Sequence, residues 1–508
     1  MFKRSKATQV NLFTSGDSIF SGKSLSIYED TNSWHNQFRM QVTDRIDETI
    51  FKPLYSQETG SPNASIKVLI AMMILKEAEG LSDQKLFESC RFNMLTRSAI
   101  GLLNADTPLP TESTYYLFRK KVNAHAETSA ENLFDVVFSS ITKEQSLCFD
   151  VSGKRIRMDS KLLGSNIAWL SRYELVHESL RLFYKQVNNQ EKLDTATLEK
   201  LNNLLKTKGN KIVYSSSHSE LKTKLQDLGV LIYKVLSIYS SCKDPHYQTL
   251  KRVFEEQFEI LEDKNIIARN KEEISSKSIQ SPHDTDAHFR NKDGNKVKGY
   301  SINITESCDD DKNLNLIADV DLREVTTSDV TFFQDSVNDA AAVFCNIAED
   351  IHTDGAYHSP ENQGFCKKNN ANLHLHAIQG AKGKYELEIN HNKELTVLDT
   401  KTNELVEVTK IETKDNIDKW RIKTEKGYRY FTQKEIDTSK IRKKIEATPI
   451  EVLQKRNNVE ATIFQLGYHY SNAKSRYRGL SKHQMWANMR CLWTVSYTHL
   501  TLPTKRIV

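Results

Sequence analysis

The periodicity of apolar residues changes several times along the 508-residue chain, and the order of these changes limits the fold more than any other feature. Two helices are predicted at 64–79 and 82–92, separated by Gly80, and a third at 113–125. Residues 153–163 then alternate between apolar and polar, as a strand does. The length suggests three to four domain-sized units.

The second half of the chain mixes the two periodicities. A long charged stretch, about 170–275, has helical spacing and reads as an insertion after the first strand. Further strands are predicted at 296–305, 314–322 and 351–359, and helices at 327–349 and from 450 onward. Between 385 and 431, five short alternating runs predict a small antiparallel sheet.

Composition excludes several classes of protein. The longest apolar run, 68–75, is too short for a membrane span, which needs about 20 residues. The seven cysteines include no CxxC pair, so a reducing, cytoplasmic setting is expected. The net charge is only +5, but residues 440–508 hold 13 lysines and arginines against three acids. That basic block indicates a polyanionic partner.

Three carboxylates stand out by position. Asp159 lies on the first predicted strand, where a charge is costly to bury unless it is paired or binds a metal. Asp354 ends a later strand just before Gly355, and Glu460 lies on an amphipathic helix. Such a trio could hold divalent cations for phosphodiester chemistry. Since the chain has 66 acids, composition alone favours ordinary surface carboxylates.

Five segments, in order, resemble the DDE transposases of bacterial insertion sequences, in the branch with an InsH-like helical N-terminal domain. They are GLSDQKLFESCRFNMLTRSAIGL with PTESTYYLFRKKV, IRMDSKLLGSNIA, SPHDTDAHFRNKDGNKVKGYSINITESC, IHTDGAYHS and KRNNVEATIFQLGYHYSNAKSRYRGLSKHQMWANMRCLW. The resemblance makes Asp159, Asp354 and Glu460 the catalytic and metal-binding residues. Many relatives also carry a tyrosine and a lysine where this chain has Leu453 and Gly467.

The resemblance implies an α/β fold: an RNase H-like mixed sheet flanked by helices, with an all-α N-terminal domain and the two insertions. It implies two Mg²⁺ or Mn²⁺ ions, cleavage of transposon ends, and joining of the 3′-hydroxyl to target DNA. The expected partners are double-stranded DNA (terminal inverted repeats and target) and a second copy of the chain, in a nucleoid-associated setting with no membrane. The basic residues assigned to DNA are Arg119, Lys120, Arg456, Lys474, Arg476, Arg478 and Lys482.

The corresponding units are a segment at 1–50, a helical DNA-binding domain at 51–145 and a catalytic domain at 150–493, with insertions at about 170–275 and 384–432. The last residues, 495–508, resemble translated sequencing-adapter DNA, so we expect a non-native tail that does not continue the helix. A rival interpretation is a non-catalytic DNA-binding remnant of a truncated transposase. His374 and His376 have the spacing of a zinc pair, although an ordinary polar or DNA-facing role is favoured.

Overall fold

A computed structural model gives the fold of the chain. It describes residues 1–4, 15–129, 131–187, 193–262, 264–292, 294–309, 314–378, 380, 382–390, 394–412, 418–425, 427–467 and 474–501. Among these residues, every helix is too short or too polar to cross a bilayer. The predicted fold class, a mixed sheet flanked by helices with an all-helical N-terminal part, is confirmed.

Helices make up the N-terminal part. They are α1 (Ser15–Ile19), α2 (Gly22–Glu29), α3 (Trp34–Phe38), α4 (Ile66–Glu79), α5 (Asp83–Phe92), α6 (Met94–Ala99), α7 (Glu112–Ser129) and α8 (Leu133–Cys148). The hydroxyls of Ser65 and Ser82 accept hydrogen bonds from the first turns of α4 and α5. Gly80 ends α4 in the left-handed region, at φ +63°. The predicted boundaries are therefore correct to within a few residues.

The helical insertion follows β1 (Arg155–Gly164) and has a core of its own. Its elements are α9 (Arg172–Gln186), α10 (Thr195–Lys206), α11 (Gly209–Tyr214), α12 (His218–Ile238), α13 (Pro245–Gln257), β2 (Phe258–Ile260) and β3 (Ile266–Ala268). Buried side chains such as Leu180, Ile232 and Leu250 pack together between the helices. The prediction of helix throughout 170–275 is wrong at its end, because β2 and β3 pair as an antiparallel hairpin.

The central sheet combines antiparallel and parallel strands. Its further strands are β4 (His288–Lys292), β5 (Asn295–Ser307), β6 (Ile317–Glu324), β7 (Asp350–Thr353) and β8 (Asn372–Leu375), with α14 (Asp329–Phe344) and α15 (Pro360–Lys368) between the later ones. The order is β4-β5-β1-β7-β8, and β6 pairs with β5. Strands β1, β5 and β6 run antiparallel, whereas β7 and β8 run parallel to β1. Strands β4 and β5 pair as a hairpin up to Lys292 and Asn295.

The β insertion contains two sheets rather than the one predicted. It holds β9 (Tyr385–Ile389), β10 (Leu395–Asp399), β11 (Glu404–Val406), β12 (Val408–Glu412), β13 (Asp418–Thr424) and β14 (Gly427–Thr432), followed by α16 (Gln433–Ala447). Strands β9 to β11 form one antiparallel sheet and β12 to β14 another. Trp420, Ile422, Phe431 and Val397 are buried in a small core, against which α16 also packs.

Three helices complete the chain: α17 (Ile450–Gln454), α18 (Asn457–Gly467) and α19 (Leu480–Thr501). The expectation that the helix would not continue past Thr494 is wrong, because α19 runs on to Thr501 and Val495 is buried in the main core. Residues 502–508 lie outside the described part, and the adapter origin of 495–508 stays a prediction.

A single apolar core joins the N-terminal helices to the central sheet. Helix α19 packs against α4, α8 and β6, and α8 also contacts α14. Buried residues from each of these elements, such as Ile70, Val137, Val320 and Leu492, belong to the same cluster. This shared core holds α18, which carries Glu460, against β1 and β5.

Candidate active site

The pairing of β1 with β7 brings the first two predicted carboxylates to the same level of the sheet. The strands run parallel, with Arg157 opposite His352. Asp159 follows Arg157 by two residues on β1, and Asp354 follows His352 by two residues at the carboxyl end of β7. Asp354 caps a short 3-10 helix, where its Oδ1 accepts a hydrogen bond from the Ala356 N–H at 2.8 Å. This bond fixes one oxygen of the carboxylate beside β1.

Glu460 reaches the same place from α18. Its neighbours Val459, Ile463 and Leu466 are buried, so the helix is held by its apolar face. The Glu460 side chain itself is 58% exposed. The third predicted carboxylate therefore lies on the exposed side of α18, where it pairs with Arg456.

A buried ion pair positions α18, and sequence reasoning did not find it. Arg157 on β1 and Glu306 on β5 stand directly opposite each other, with Nε and Oε1 2.6 Å apart and both side chains at most 3% exposed. Arg157 Nη1 also donates to the carbonyl of Lys455 at 2.9 Å, and Glu306 Oε2 accepts from the Thr462 hydroxyl at 2.8 Å. The pair thus anchors the chain on both sides of the segment that carries Arg456 and Glu460.

Arg456 bridges two of the three carboxylates. Its guanidinium donates to Asp159 Oδ2 at 2.9 Å and lies 3.1 Å from Glu460 Oε1. Only 13% of its side chain is exposed. The resemblance assigned Arg456 to DNA, and that assignment stays a prediction. In this structure the arginine neutralises the acidic cluster.

The protonation of Asp159 reflects these neighbours. Burial raises its pKa to about 6, although Arg456 and the Ser160 N–H favour the charged form. The negative charges of Asp354 and Glu460 raise the pKa of Asp159 further. The Tyr357 hydroxyl, buried beside Asp159, Asp329 and Asp354, has its pKa raised by burial and by those charges. It donates to Asn303 Oδ1 at 2.5 Å.

The cluster is not already shaped around a metal ion. Among the described residues, no three His, Cys, Asp or Glu side chains stand in an arrangement that could hold one. Arg456 explains this, since it occupies the space between Asp159 and Glu460. The donor set itself, three carboxylates, is of the kind that hard divalent cations prefer.

The two histidines with the spacing of a zinc pair, His374 and His376, have different surroundings. His374 lies on β8 and its Nε2 is 2.8 Å from Asp350 Oδ1, whereas His376 follows the strand and is exposed. The ring of His374 stacks instead on His352 of β7, with centroids 4.7 Å apart. Burial lowers the pKa of His352 to about 3, so this ring is neutral at ordinary pH. The geometry therefore favours a structural role for these rings.

The basic residues assigned to DNA fall into two groups. Lys120, Arg476, Arg478 and Lys482 are exposed. Arg119 lies 3.7 Å from Asp83 and over the ring of Tyr115, and Lys474 donates to the Ile167 carbonyl at 2.8 Å. Arg476 also donates to the Leu81 carbonyl at 3.1 Å, and Arg478 to the Asn166 carbonyl at 2.7 Å. Exposure therefore makes Lys120 and Lys482 accessible to a polyanion, while the four other residues hold contacts within the protein.

Lys161 is a basic residue beside α18 that sequence reasoning missed. It is exposed, and it lies two residues after Asp159 on β1, on the same side of the strand. Its amine is 3.9 Å from the position that a β-carbon would take at Gly467 on α18. A lysine amine from β1 thus lies beside the position on α18 where the resemblance expects a lysine. The alternation of β1 was the available signal.

Residues 27–121 match a family model described as Transposase domain (DUF772). The match supports a transposase family. It covers the helices from α2 into α7, of which α3, α4 and α7 pack on α19. Neither the curated proteins nor the solved structures gave a match. The N-terminal helices thus support a transposase role independently of the carboxylate cluster.

Proposed function

We propose that the chain is a DDE transposase that cleaves transposon ends and joins the freed 3′-hydroxyl to target DNA. The observation that carries the proposal is that β1 and β7 carry Asp159 and Asp354 at the same level of the sheet, while Arg456 joins Asp159 to Glu460 of α18. The match of the N-terminal helices to a transposase domain supports the same role independently.

The sheet supports an RNase H-like core. Three antiparallel strands, β6, β5 and β1, are followed by β7 and β8 parallel to β1. The helical insertion lies between β1 and the hairpin of β4 and β5, and the β insertion lies between β8 and α17. Both insertions thus leave the order of the central strands intact.

Asp159, Asp354 and Glu460 would supply the carboxylate oxygens that hold two Mg²⁺ or Mn²⁺ ions. The chemistry that such ions would supply is activation of an attacking water or hydroxyl and stabilisation of the leaving oxygen. The Ala356 N–H holds one Asp354 oxygen and leaves the other to ligate. Glu460 is exposed enough to turn inward, and Arg456 must then leave Asp159. We propose that Arg456 moves to a DNA phosphate, beside the exposed amine of Lys161.

A strand-cleavage assay tests the proposal. The chain is incubated with DNA carrying its own flanking ends and Mg²⁺ or Mn²⁺, and compared with Asp159→Asn, Asp354→Asn and Glu460→Gln. We expect metal-dependent nicking at the ends, a loss of at least 100-fold in each variant, and unchanged DNA binding. Glu451→Gln, at an exposed acid on α17, is the matched control and should cut normally.

Two outcomes would overturn parts of the proposal. If the chain binds the ends but never cuts them with either metal, the DNA-binding remnant replaces the enzyme. If cutting survives one of the three substitutions, the role assigned to that carboxylate is wrong.

Arg456 gives a second test that does not depend on cleavage. Replacing it by methionine removes the cation that now neutralises Asp159 and Glu460, so the carboxylates should bind Mn²⁺ more tightly in the absence of DNA. We expect a gain on the order of tenfold, because each partly buried ion pair contributes about 1 kcal/mol. Calorimetric titration measures it, and an unchanged or weaker affinity would contradict the placement of Arg456 in the metal site.

A further inference from the structure

The sheet formed by β12, β13 and β14 has an outer face that is not part of the candidate active site. Strand register assigns its residues, since directly opposed side chains share a face. Arg421 of β13 stands opposite Tyr430 of β14, and Lys423 stands opposite Tyr428. The inner face, with Trp420, is buried in the small core. The outer face is therefore turned away from the core.

This outer face combines aromatic rings with positive charge. Tyr428 and Tyr430 are 56% and 52% exposed, which is unusual for two aromatic residues on one strand. The Arg421 guanidinium lies 4.6 Å from the centre of the Tyr428 ring, and Lys423 is exposed beside it. The register positions on this face are Thr409, Ile411, Lys419, Arg421, Lys423, Tyr428, Tyr430 and Thr432.

None of those eight positions is acidic, so three cations lie along one strand without a carboxylate on the same face. The acids nearest in sequence to this row of cations are Asp418, at the adjoining register position of β13, and Glu425, in the turn between β13 and β14. A row of cations next to exposed rings suits a polyanion whose repeating unit carries a flat apolar group. Nucleic acid has that chemistry, because each phosphate is accompanied by a base.

The spacing of the rings favours single strands over duplex. Residues two apart on a strand are separated by about 6.7 Å. Stacked neighbours in a duplex are separated by only about 3.4 Å along each strand, and their faces are covered by other bases. Adjacent bases can reach both rings only after they have unstacked.

We propose that the outer face formed by β12, β13 and β14 binds a single-stranded segment of DNA. Tyr428 and Tyr430 stack on two neighbouring bases, and Lys419, Arg421 and Lys423 contact the phosphates between and beside them. The inference takes DNA as the partner from the proposed function and adds where an unpaired strand is held.

The test measures binding of the full-length chain to a labelled 15-nucleotide oligo(dT) and to a duplex of equal length, by fluorescence anisotropy in EDTA. The double variant Tyr428→Ala/Tyr430→Ala should lose at least tenfold in affinity for the single strand, with duplex affinity unchanged. The variant Tyr428→Phe/Tyr430→Phe keeps the rings and should bind normally. The control Tyr214→Ala removes a tyrosine that is 96% exposed on α11 and should also bind normally.

Several results would overturn the proposal. One is an unchanged single-strand affinity in the double alanine variant, and another is an equal loss on duplex. A third is displacement of oligo(dT) by polyglutamate as effectively as by unlabelled oligo(dT), which would make the face a general anion surface. Because no metal or cleavage is involved, ring-dependent binding stands even if the chain proves unable to cut DNA.

Discussion

At the scale of single residues, the buried pair of Arg157 and Glu306 determines where Arg456 and Glu460 lie. Replacing Glu306 by glutamine keeps the size of the side chain but leaves the Arg157 charge buried without a counterion. We expect unfolding in urea to become easier by about 3–5 kcal/mol. The matched control is Glu388→Gln, which breaks an exposed pair with Lys443 and should have no measurable effect.

A double variant separates the effect of the Arg157–Glu306 pair on protein stability from its effect on the position of α18. Arg157→Met with Glu306→Leu replaces the buried pair by apolar groups, which often restores or increases stability. The contacts to the Lys455 carbonyl and the Thr462 hydroxyl are still lost, so α18 is no longer fixed. We expect a stable protein whose DNA cleavage remains low. Normal cleavage in this variant would show that the pair does not position Glu460.

Asp135 provides a prediction about pH. Burial raises its pKa to about 6, and its Oδ1 accepts hydrogen bonds from the side-chain amides of Gln484 and Asn488 on α19. Between about pH 4 and 6 the folded chain therefore holds a proton that the unfolded chain has lost, and this contribution to stability falls as the pH rises. The Asp135→Asn variant keeps the acceptor and cannot ionise.

We therefore expect Asp135→Asn to be more stable than the parent at pH 7.5, by on the order of 2 kcal/mol, and to lose most of that advantage by pH 4.5. Thermal unfolding of both proteins at the two pH values measures the difference. Other titrating groups cancel in the comparison. An advantage of the same size at both pH values would mean that Asp135 does not titrate in this range.

At the scale of elements, the sequence could predict the helix ends and strands that depend on the local pattern of residues. Gly80 marked the end of α4, and alternation marked β1 with Asp159 on it. The division of the β insertion into two sheets was missed, because alternation gives strands but not their partners. The pairing of Arg157 with Glu306 was missed for the same reason, since the two are separated by the whole helical insertion.

Gly299 tests whether the pairing of β1 and β5 has room for a side chain. A β-carbon at this position would collide with the Leu163 carbonyl oxygen and the Gly164 backbone, neither of which can rotate away. We expect Gly299→Ala to reduce the free energy of unfolding by about 1–3 kcal/mol. Gly364→Ala, on α15 where nothing lies within 4 Å, should instead raise it by about 0.5–1 kcal/mol. If both substitutions changed the free energy of unfolding equally, β1 and β5 would have room for a β-carbon at position 299.

At the scale of the whole molecule, the candidate site depends on contacts that no local pattern reveals. The three carboxylates were proposed from a resemblance, and the structure brings them together through strand register and the docking of α18. The role of Arg456 as their present counterion could not be predicted, because its spacing of four residues fixes only its contact with Glu460. The contact with Asp159 comes from a residue 297 positions away.

The shared apolar core also affects how the predicted helical domain at 51–145 and catalytic domain at 150–493 should unfold. Because α4, α8, α19 and β6 share one core, we expect them to unfold as one unit with β1 and β5. The β insertion has a separate, much smaller core, so it should open at lower denaturant. Hydrogen exchange of the full chain in increasing urea measures both. Strands β9 to β14 should lose protection first, while α4 and β5 lose it together. Separate protection of α4 and β5 would instead show an independent N-terminal domain.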